Sequence, residues 1–454
     1  MRVVQVCPPA AGGLLAHVRM ACVELTRAGQ AVTLAAPDAV YGDHADYDTV
    51  VVGIASSPSP RADLAAVRTL RSLVRGCDVM HAHGVRAGAL SVLARRLVAR
   101  AQRPALVVTL HNKTIGSWPT RVIGRLLSQI VARGADHILA VSPDLVEDQH
   151  RRGARSVAIA CIPAERPAGI PTASDVETGS DVNTGSDVKT CFDVETGSDD
   201  VNTAYDVKTA SNVSIASDPM TASGPMTTSE PVIADDPASV DVPSTLDDHP
   251  TASDSCTRPP NTPDTGGEHR PVTVLALARL APQKNLPMLI QAAAALKDDP
   301  ELANTRVLVA GDGPLRGALE LMISERSAPV TLLGARSDVP ALLATADLVV
   351  STSLWEGQPV GLQEALHAGR PILATDAGGT RVVTGDAARL VPVGDQKAFT
   401  EALIELVRDH AQRHRLAQAS YGRASHLPRR EDLATHLMES YRTARRTLSV
   451  RARR

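Results

Sequence analysis

The chain has 454 residues, a formal net charge of −3 at pH 7 and a 43% apolar share carried mainly by Ala, Val and Leu. That length accommodates two domains of ordinary size plus additional material. Aromatic residues make up only 2% of the chain, which argues against base-stacking platforms for nucleic acid, and the small negative charge gives no overall basic field for a polyanion.

The six cysteines (Cys7, Cys22, Cys77, Cys161, Cys191 and Cys256) form no C-x-x-C pair and have no histidines at zinc spacing. Neither a disulfide framework nor a metal site is therefore expected. Met1-Arg2 leads straight into the apolar Val3–Val6, without the features of a leader peptide. No apolar run approaches the ~18 residues of a spanning helix. These features read as a reduced, soluble, cytoplasmic protein.

Residues 1–165 alternate short β-rich runs with helical patterns. Strands are expected at Val3–Cys7, Ala31–Ala36, Thr49–Gly53, Asp78–His81, Leu106–Leu110, His137–Val141 and Val157–Ala160, with helices at Ala16–Ala28, Leu64–Val74 and Gly88–Arg100. Such alternation predicts a parallel sheet covered on both faces. Residues 166–270 differ in kind: Ser, Thr, Asp and Pro dominate, and a unit of the form Ser-Asp-Val-Glu-Thr-Gly recurs from Ser174. One Val per unit is too little to stack a β-helix core, so the composition reads as a disordered linker. Residues 271–430 are again α/β, with strands expected at Val272–Ala278, Val307–Ala310, Val330–Leu333, Leu348–Ser351, Ile372–Ala374 and Leu390–Val393. Residues 431–454 form a C-terminal helix and basic tail. Two α/β domains joined by a long insert would bind a ligand at the carboxyl ends of their strands, in the cleft between them.

The richest segment runs from Leu354 to Gly369. Glu356 follows a strand, Pro359 suits the start of a helix, Gly369 closes it, and Glu364 falls in an early turn. Two carboxylates so placed can accept hydrogen bonds from vicinal hydroxyls, whereas exposed glutamates on a helix are the simpler alternative. Arg279 and Lys284 follow the first strand of the second α/β region and suit a diphosphate, although ordinary surface cations would look the same. Gly311 and Gly313 lie in a tight turn after another strand. In the first region, Gly12 and Gly13 lie between a strand and a helix, where backbone N–H groups can approach a phosphate or simply make a turn. His83, and more weakly His111, sit at strand ends, where a lone histidine is usually structural. Asp46-Tyr-Asp48 spells a D-x-D but sits in a polar turn, so it reads as a loop.

Taken together, these motifs resemble the retaining family 4 glycosyltransferases, which have the GT-B fold of two Rossmann-like parallel-sheet domains facing across a cleft. The resemblance rests on Gly12-Gly13, Asp78–Gly84, Arg279 with Lys284, Gly311–Pro314, Glu356 eight positions before Glu364, and Gly378-Gly379. It implies an acceptor-side domain at 1–165 and a nucleotide-sugar donor domain at 271–430. It implies that Glu364 binds the donor ribose, that Glu356 contacts the transferred sugar, and that Arg279 and Lys284 hold the diphosphate. Gly12 and Gly13 would approach the same phosphates, and His83 would lie near the reacting sugar. Gly311, Gly313, Gly378 and Gly379 complete the expected donor site. No metal or other cofactor is expected. Val382 stands where the family often has a glutamate. A GT-B sugar-nucleotide epimerase and a non-catalytic nucleotide-sugar binding protein are the alternatives. The acceptor is unidentified. The basic, amphipathic segment Trp118–Arg133 is compatible with an anionic membrane surface, or with a helix packed on its own sheet with a solvated face.

Overall fold

The computed structural model describes residues 1–10, 12–38, 46–55, 59–113, 118–164 and 271–453. The disordered-linker reading for 166–270 thus lies outside the described residues.

Val-rich runs of three to six residues form two wholly parallel sheets. The first has seven strands: β1 (Arg2–Val6), β2 (Ala31–Ala36), β3 (Asp48–Val51), β4 (Val79–His83), β5 (Ala105–Leu110), β6 (His137–Ala140) and β7 (Val157–Ile159). They are ordered β3-β2-β1-β4-β5-β6-β7. The second has six: β8 (Thr273–Leu277), β9 (Arg306–Ala310), β10 (Val330–Gly334), β11 (Leu348–Ser351), β12 (Ile372–Thr375) and β13 (Arg389–Val391), ordered β10-β9-β8-β11-β12-β13. Every strand pair within each is parallel. Parallel sheets need cover on both faces, which is why β4, β5, β6 and β12 are buried along their whole length. Strand order reverses between β1 and β4 and between β8 and β11, the two positions where chains of this design leave a crevice at the strands' carboxyl ends.

The helices are α1 (Gly13–Arg27), α2 (Pro60–Val74), α3 (Val85–Arg96), α4 (Trp118–Gly134) and α5 (Pro143–Arg151) around the first sheet. Around the second are α6 (Leu286–Ala294), α7 (Arg316–Arg326), α8 (Val339–Thr345), α9 (Val360–His367), α10 (Thr380–Thr384), α11 (Gln396–Arg408) and α12 (His410–Ala424). The last helix, α13 (Arg430–Arg453), returns to the first domain: its Leu433, Leu437, Tyr441 and Ala444 belong to the same buried cluster as β1, β4 and β5. The second domain has a separate core on each face of its sheet. No described helix is long and apolar enough to cross a membrane.

Candidate active site

The loop after β11 carries Glu356, and polar side chains from its neighbours fix its path. Thr352 Oγ1 donates to Lys284 O (2.9 Å), and Leu354 N donates to Gln283 O (2.9 Å). Gln283 Nε2 donates to Trp355 O (2.7 Å), and Thr375 Oγ1 donates to Ser353 O (2.6 Å). The loops after β8, β11 and β12 are thereby laced into one surface. Glu356 is only 6% exposed, and its Oε1 accepts from both Lys284 Nζ (2.5 Å) and Ser353 Oγ (2.5 Å). A buried carboxylate of this kind requires such partners, because desolvation alone would cost several kcal/mol.

The glycine pair lies directly behind it. A Cβ on Gly378 (φ 58°) would sit 2.1 Å from Glu356 O, and one on Gly379 would sit 1.8 Å from Gly357 O. Gly379 N donates to Glu356 O at 3.0 Å. Only residues without side chains allow this approach. Gly311 and Gly313 do similar work for the loop of Arg279, since their Cβ atoms would fall 2.0 Å from Ala278 O and 2.6 Å from Leu280 O. Arg279 itself is exposed and makes no ion pair among the described residues.

Pro359 caps α9, which begins at Val360 and is closed by Gly369 in the left-handed region (φ 60°). Glu364 is half-buried on this helix, with no side-chain hydrogen-bond partner among the described residues. Burial pushes its carboxyl up from 4.5 to about 7.

Gly12 (φ 62°) caps α1, with open space around the position of a Cβ. A Cβ on Gly13 would lie 3.9 Å from Val360 Cγ2, so the N-terminus of α1 faces that of α9. Two helix N-termini meeting across a crevice create a region that favours an anion.

His83 ends β4 and is fully buried. Its Nε2 lies 2.9 Å from Gln5 Oε1, and its Nδ1 lies 3.1 Å from His111 Nε2. An amide oxygen only accepts, so Nε2 carries the His83 proton and Nδ1 accepts from His111. Gln5 Nε2 in turn donates to Tyr441 Oη (2.9 Å), which also contacts His81 Nδ1 (3.0 Å). Burial pushes the pKa of His83 and His111 well below 6.5 and that of His17 to about 4, so all three are neutral at pH 7. The His17 ring lies 5.3 Å from that of His111, and its buried Nδ1 has no hydrogen-bond partner among the described residues. Among the described residues, His17, His83 and His111 are the one group whose ligand atoms all fall within 4.8 Å of each other. Neutral imidazoles at that spacing have donor chemistry suited to a borderline divalent ion.

Several contacts pin the Glu356 loop and α9 to the first domain. Trp355 Nε1 donates to Asp144 Oδ2 (3.0 Å) and Gln358 Nε2 to Ala160 O (2.6 Å). Gln363 Nε2 donates to Ile162 O (3.0 Å), while its Oε1 accepts from Ala164 N (3.2 Å). Burial raises the Asp144 carboxyl, but hydrogen bonds from Ser142 and Trp355, with Lys113 nearby, outweigh it and leave the group below its ordinary range.

The structure therefore brings Lys284 onto Glu356, sets Gly378 and Gly379 against that loop, places Gly13 beside α9, and puts His83 beside His111. Sequence reasoning missed Ser353, Gln283, Asp144, His17, Gln5 and Tyr441. His17 had a signal, because it lies four residues, about one turn, beyond Gly13 on α1. The others are common polar residues in no distinctive pattern.

Two parallel-sheet domains with these loops at their carboxyl ends define a GT-B protein. Solved structures agree: sucrose-phosphate synthase from Thermosynechococcus elongatus superposes with a TM-score of 0.65 at 15% identity, covering 97% of this chain and 98% of that one. Anabaena HepE in complex with UDP-glucose gives a TM-score of 0.61 at 16% identity, covering 97% and 99%. The family is fixed by sequence. Residues 11–164 match the model described as Glycosyltransferase Family 4, and residues 271–409 match that described as Glycosyl transferases group 1. Together they cover well over half of the chain, which belongs to the family 4 glycosyltransferases. A UDP-Gal:alpha-D-GlcNAc-diphosphoundecaprenol alpha-1,3-galactosyltransferase from Escherichia coli is 28% identical over 141 residues, 29% of this chain and 36% of that protein. The matches span 34% to 40% of the length of the curated relatives they reach first.

Proposed function

We propose that this chain is a retaining glycosyltransferase that moves a sugar from a nucleoside-diphosphate donor to an acceptor hydroxyl. The observation that carries the reading is the buried Glu356, held by Lys284 and Ser353 at the carboxyl end of β11, with Glu364 on the helix that follows. HepE, with the same fold, was solved with UDP-glucose, which supports a nucleotide-sugar donor here.

Each residue has a role that its surroundings support. Glu364 accepts hydrogen bonds from the ribose hydroxyls; a half-buried carboxylate with no side-chain partner among the described residues is left to serve a ligand. Arg279 and Lys284 hold the diphosphate and offset the negative charge that grows as the glycosidic bond breaks, which is where electrostatic catalysis contributes most. The N–H groups of Gly12 and Gly13, at the start of α1, add to that field. The polypeptide around Gly311 and Gly313 sets the Arg279 loop, and Gly378 with Gly379 sets the Glu356 loop. Glu356 contacts the transferred sugar, and His83, buried and neutral with both ring nitrogens engaged by Gln5 and His111, lies near the reacting sugar without adding positive charge beside an oxocarbenium-like centre. Attack from the departing side then gives retention. This scheme routes no step through a metal.

Incubation with a panel of labelled sugar nucleotides tests it. Release of free nucleotide, lost in Glu356→Ala, is the expected result. Interconversion of the sugar without nucleotide release would indicate an epimerase, and binding without turnover would indicate a non-catalytic binding protein; either would overturn the reading.

A further inference from the structure

The carboxyl ends of β4 and β5 gather histidines. His83 pairs in register with Thr109, and His111 follows two residues later, past the end of β5. His81 is fully committed: its Nδ1 contacts Tyr441 Oη (3.0 Å) and its Nε2 contacts Thr109 Oγ1 (2.7 Å). Its three neighbours are arranged differently. His17 enters from α1, and its ring stands edge-on to those of His83 and His111, with centroids 5.9 and 5.3 Å away. It is 5% exposed, yet its Nδ1 has no hydrogen-bond partner among the described residues. Folded proteins leave few buried polar atoms unpaired, so this nitrogen calls for an explanation.

His83 is oriented as a metal ligand would be. Gln5 Oε1 holds its Nε2–H (2.9 Å) and Tyr441 holds Gln5, so the Nδ1 lone pair faces His111 Nε2 at 3.1 Å. Two imidazole nitrogens that share a tetrahedral zinc-class ion, each about 2.0–2.1 Å from it, lie about 3.3 Å apart. The His83–His111 spacing therefore fits a shared ion with little movement. A ligand nitrogen of His17 falls within 4.8 Å of both. It needs to approach by at most about 1.5 Å, which a side-chain rotation supplies. As the ion enters, the His111 proton moves from Nε2 to Nδ1, a change of tautomer that releases no proton. The group contains no carboxylate and no thiolate. Three imidazoles without oxygen donors favour zinc, copper or nickel over magnesium or calcium.

We propose that His17, His83 and His111 together bind a divalent ion of the zinc class, and that the bound ion inhibits sugar transfer. His111 is the partly exposed member of the three, so water or a substrate hydroxyl can complete the ion's shell from the crevice. The inhibition rests on the proposed transferase activity. There, His83 lies near a sugar that becomes oxocarbenium-like, and a doubly charged ion beside it opposes the growing positive charge. Local sequence spacing cannot show such a site. Its ligands come from α1 and from the ends of β4 and β5, and His83 and His111 alone are 28 positions apart.

The test is isothermal titration of the full chain with Zn²⁺ alone, after dialysis against a chelator. One equivalent bound, unaffected by excess Mg²⁺, is the expected result. Co²⁺ in its place should give the intense visible bands of a tetrahedral site without a thiolate charge-transfer band, which sets the cysteines aside. His17→Gln and His111→Gln should each weaken Zn²⁺ binding by about a hundredfold or more, since even an outer-shell partner can cost that much. Circular dichroism shows whether each variant is folded, and the partly exposed His111 carries the test should His17→Gln fail to fold. Nucleotide release by wild type should fall as the site fills with Zn²⁺. Release by His17→Gln, relative to its own metal-free rate, should not fall over that range. The proposal is overturned if wild type binds no Zn²⁺, if the folded variants bind it as tightly as wild type, or if Co²⁺ reports a thiolate ligand. A filled site that leaves nucleotide release unchanged also overturns it. If wild type releases no nucleotide even without metal, the transferase reading fails, while the titration and the spectrum still decide the binding site.

Discussion

At the residue scale, the ion pair of Glu356 and Lys284 predicts a specific pattern of stability. Both members are largely withdrawn from water, at 8% and 18% side-chain exposure. Removing one leaves the other's charge uncompensated, a loss of about 3 kcal/mol or more for a buried pair. Lys284→Met should therefore destabilise in a denaturant titration, whereas the double variant Lys284→Met/Glu356→Gln should recover most of the loss while remaining inactive. Additive destabilisation would mean that the pair does not function as one.

Glu364 predicts a pH dependence whose sign follows from burial. Its carboxyl is raised to about 7. A raised carboxyl contributes stability that is complete below the unfolded value of 4.5 and is lost as pH rises through about 7. Glu364→Gln should thus match wild type near pH 4 and exceed it by about 3 kcal/mol at pH 8. Donor affinity should move oppositely. Ribose hydroxyls require an ionised acceptor, so wild-type affinity should fall as pH drops below about 7 and level off above it. Isothermal titration with nucleotide across that range checks the slope, and Glu364→Gln should be weak and flat.

At the element scale, the glycine pair makes the β12–α10 turn a support for the β11 loop. Gly379→Ala would place a methyl group 1.8 Å from Gly357 O, so one loop must shift. The expected outcome is a fall in turnover of about tenfold or more, since Glu356 is proposed to contact the sugar and a misplacement of about 1 Å at a reacting group can cost about a hundredfold. Gly317→Ala on α7 is the control: nothing lies within 4 Å, and it should be neutral or slightly stabilising. Kinetics and thermal melts of the two variants separate a local from a global effect.

The same elements explain what was legible in the sequence. All thirteen strands fall on the runs expected for them, because short apolar, mostly β-branched runs stand out between polar and glycine-bearing loops, even where the strand is largely exposed, as in β3. Helix starts were less legible: α1 begins at Gly13 and α3 at Val85, each three residues earlier than the pattern suggested. In both cases a glycine of positive φ provides the cap, and hydrophobic periodicity carries no trace of it. Glu356, Glu364 and the glycine pair were legible as a motif. Ser353, Gln283 and Thr375 were not, since folding alone places them. The Gln5–Tyr441 hydrogen bond joins residues 436 positions apart, and no local pattern could announce it.

At the scale of the whole molecule, α13 ties the end of the chain to the His83 environment. Tyr441 is fully buried and contacts both Gln5 and His81, and Gln5 in turn holds the His83 tautomer. The Glu356 loop and α9 are hydrogen-bonded to residues 144–164. The repeat-bearing segment between them contributes few large apolar side chains by composition. Closing a connection of ~100 residues costs little more than closing one of ten, because the penalty grows only with the logarithm of length. Deleting Ser174–Asp264 should therefore leave a folded protein whose melting temperature is within a few degrees of wild type. Its nucleotide release should also be retained, because the residues proposed to bind donor lie outside the deleted stretch. If the shortened protein is insoluble or no longer binds nucleotide, the segment contributes to the fold or the site in a way its composition does not convey.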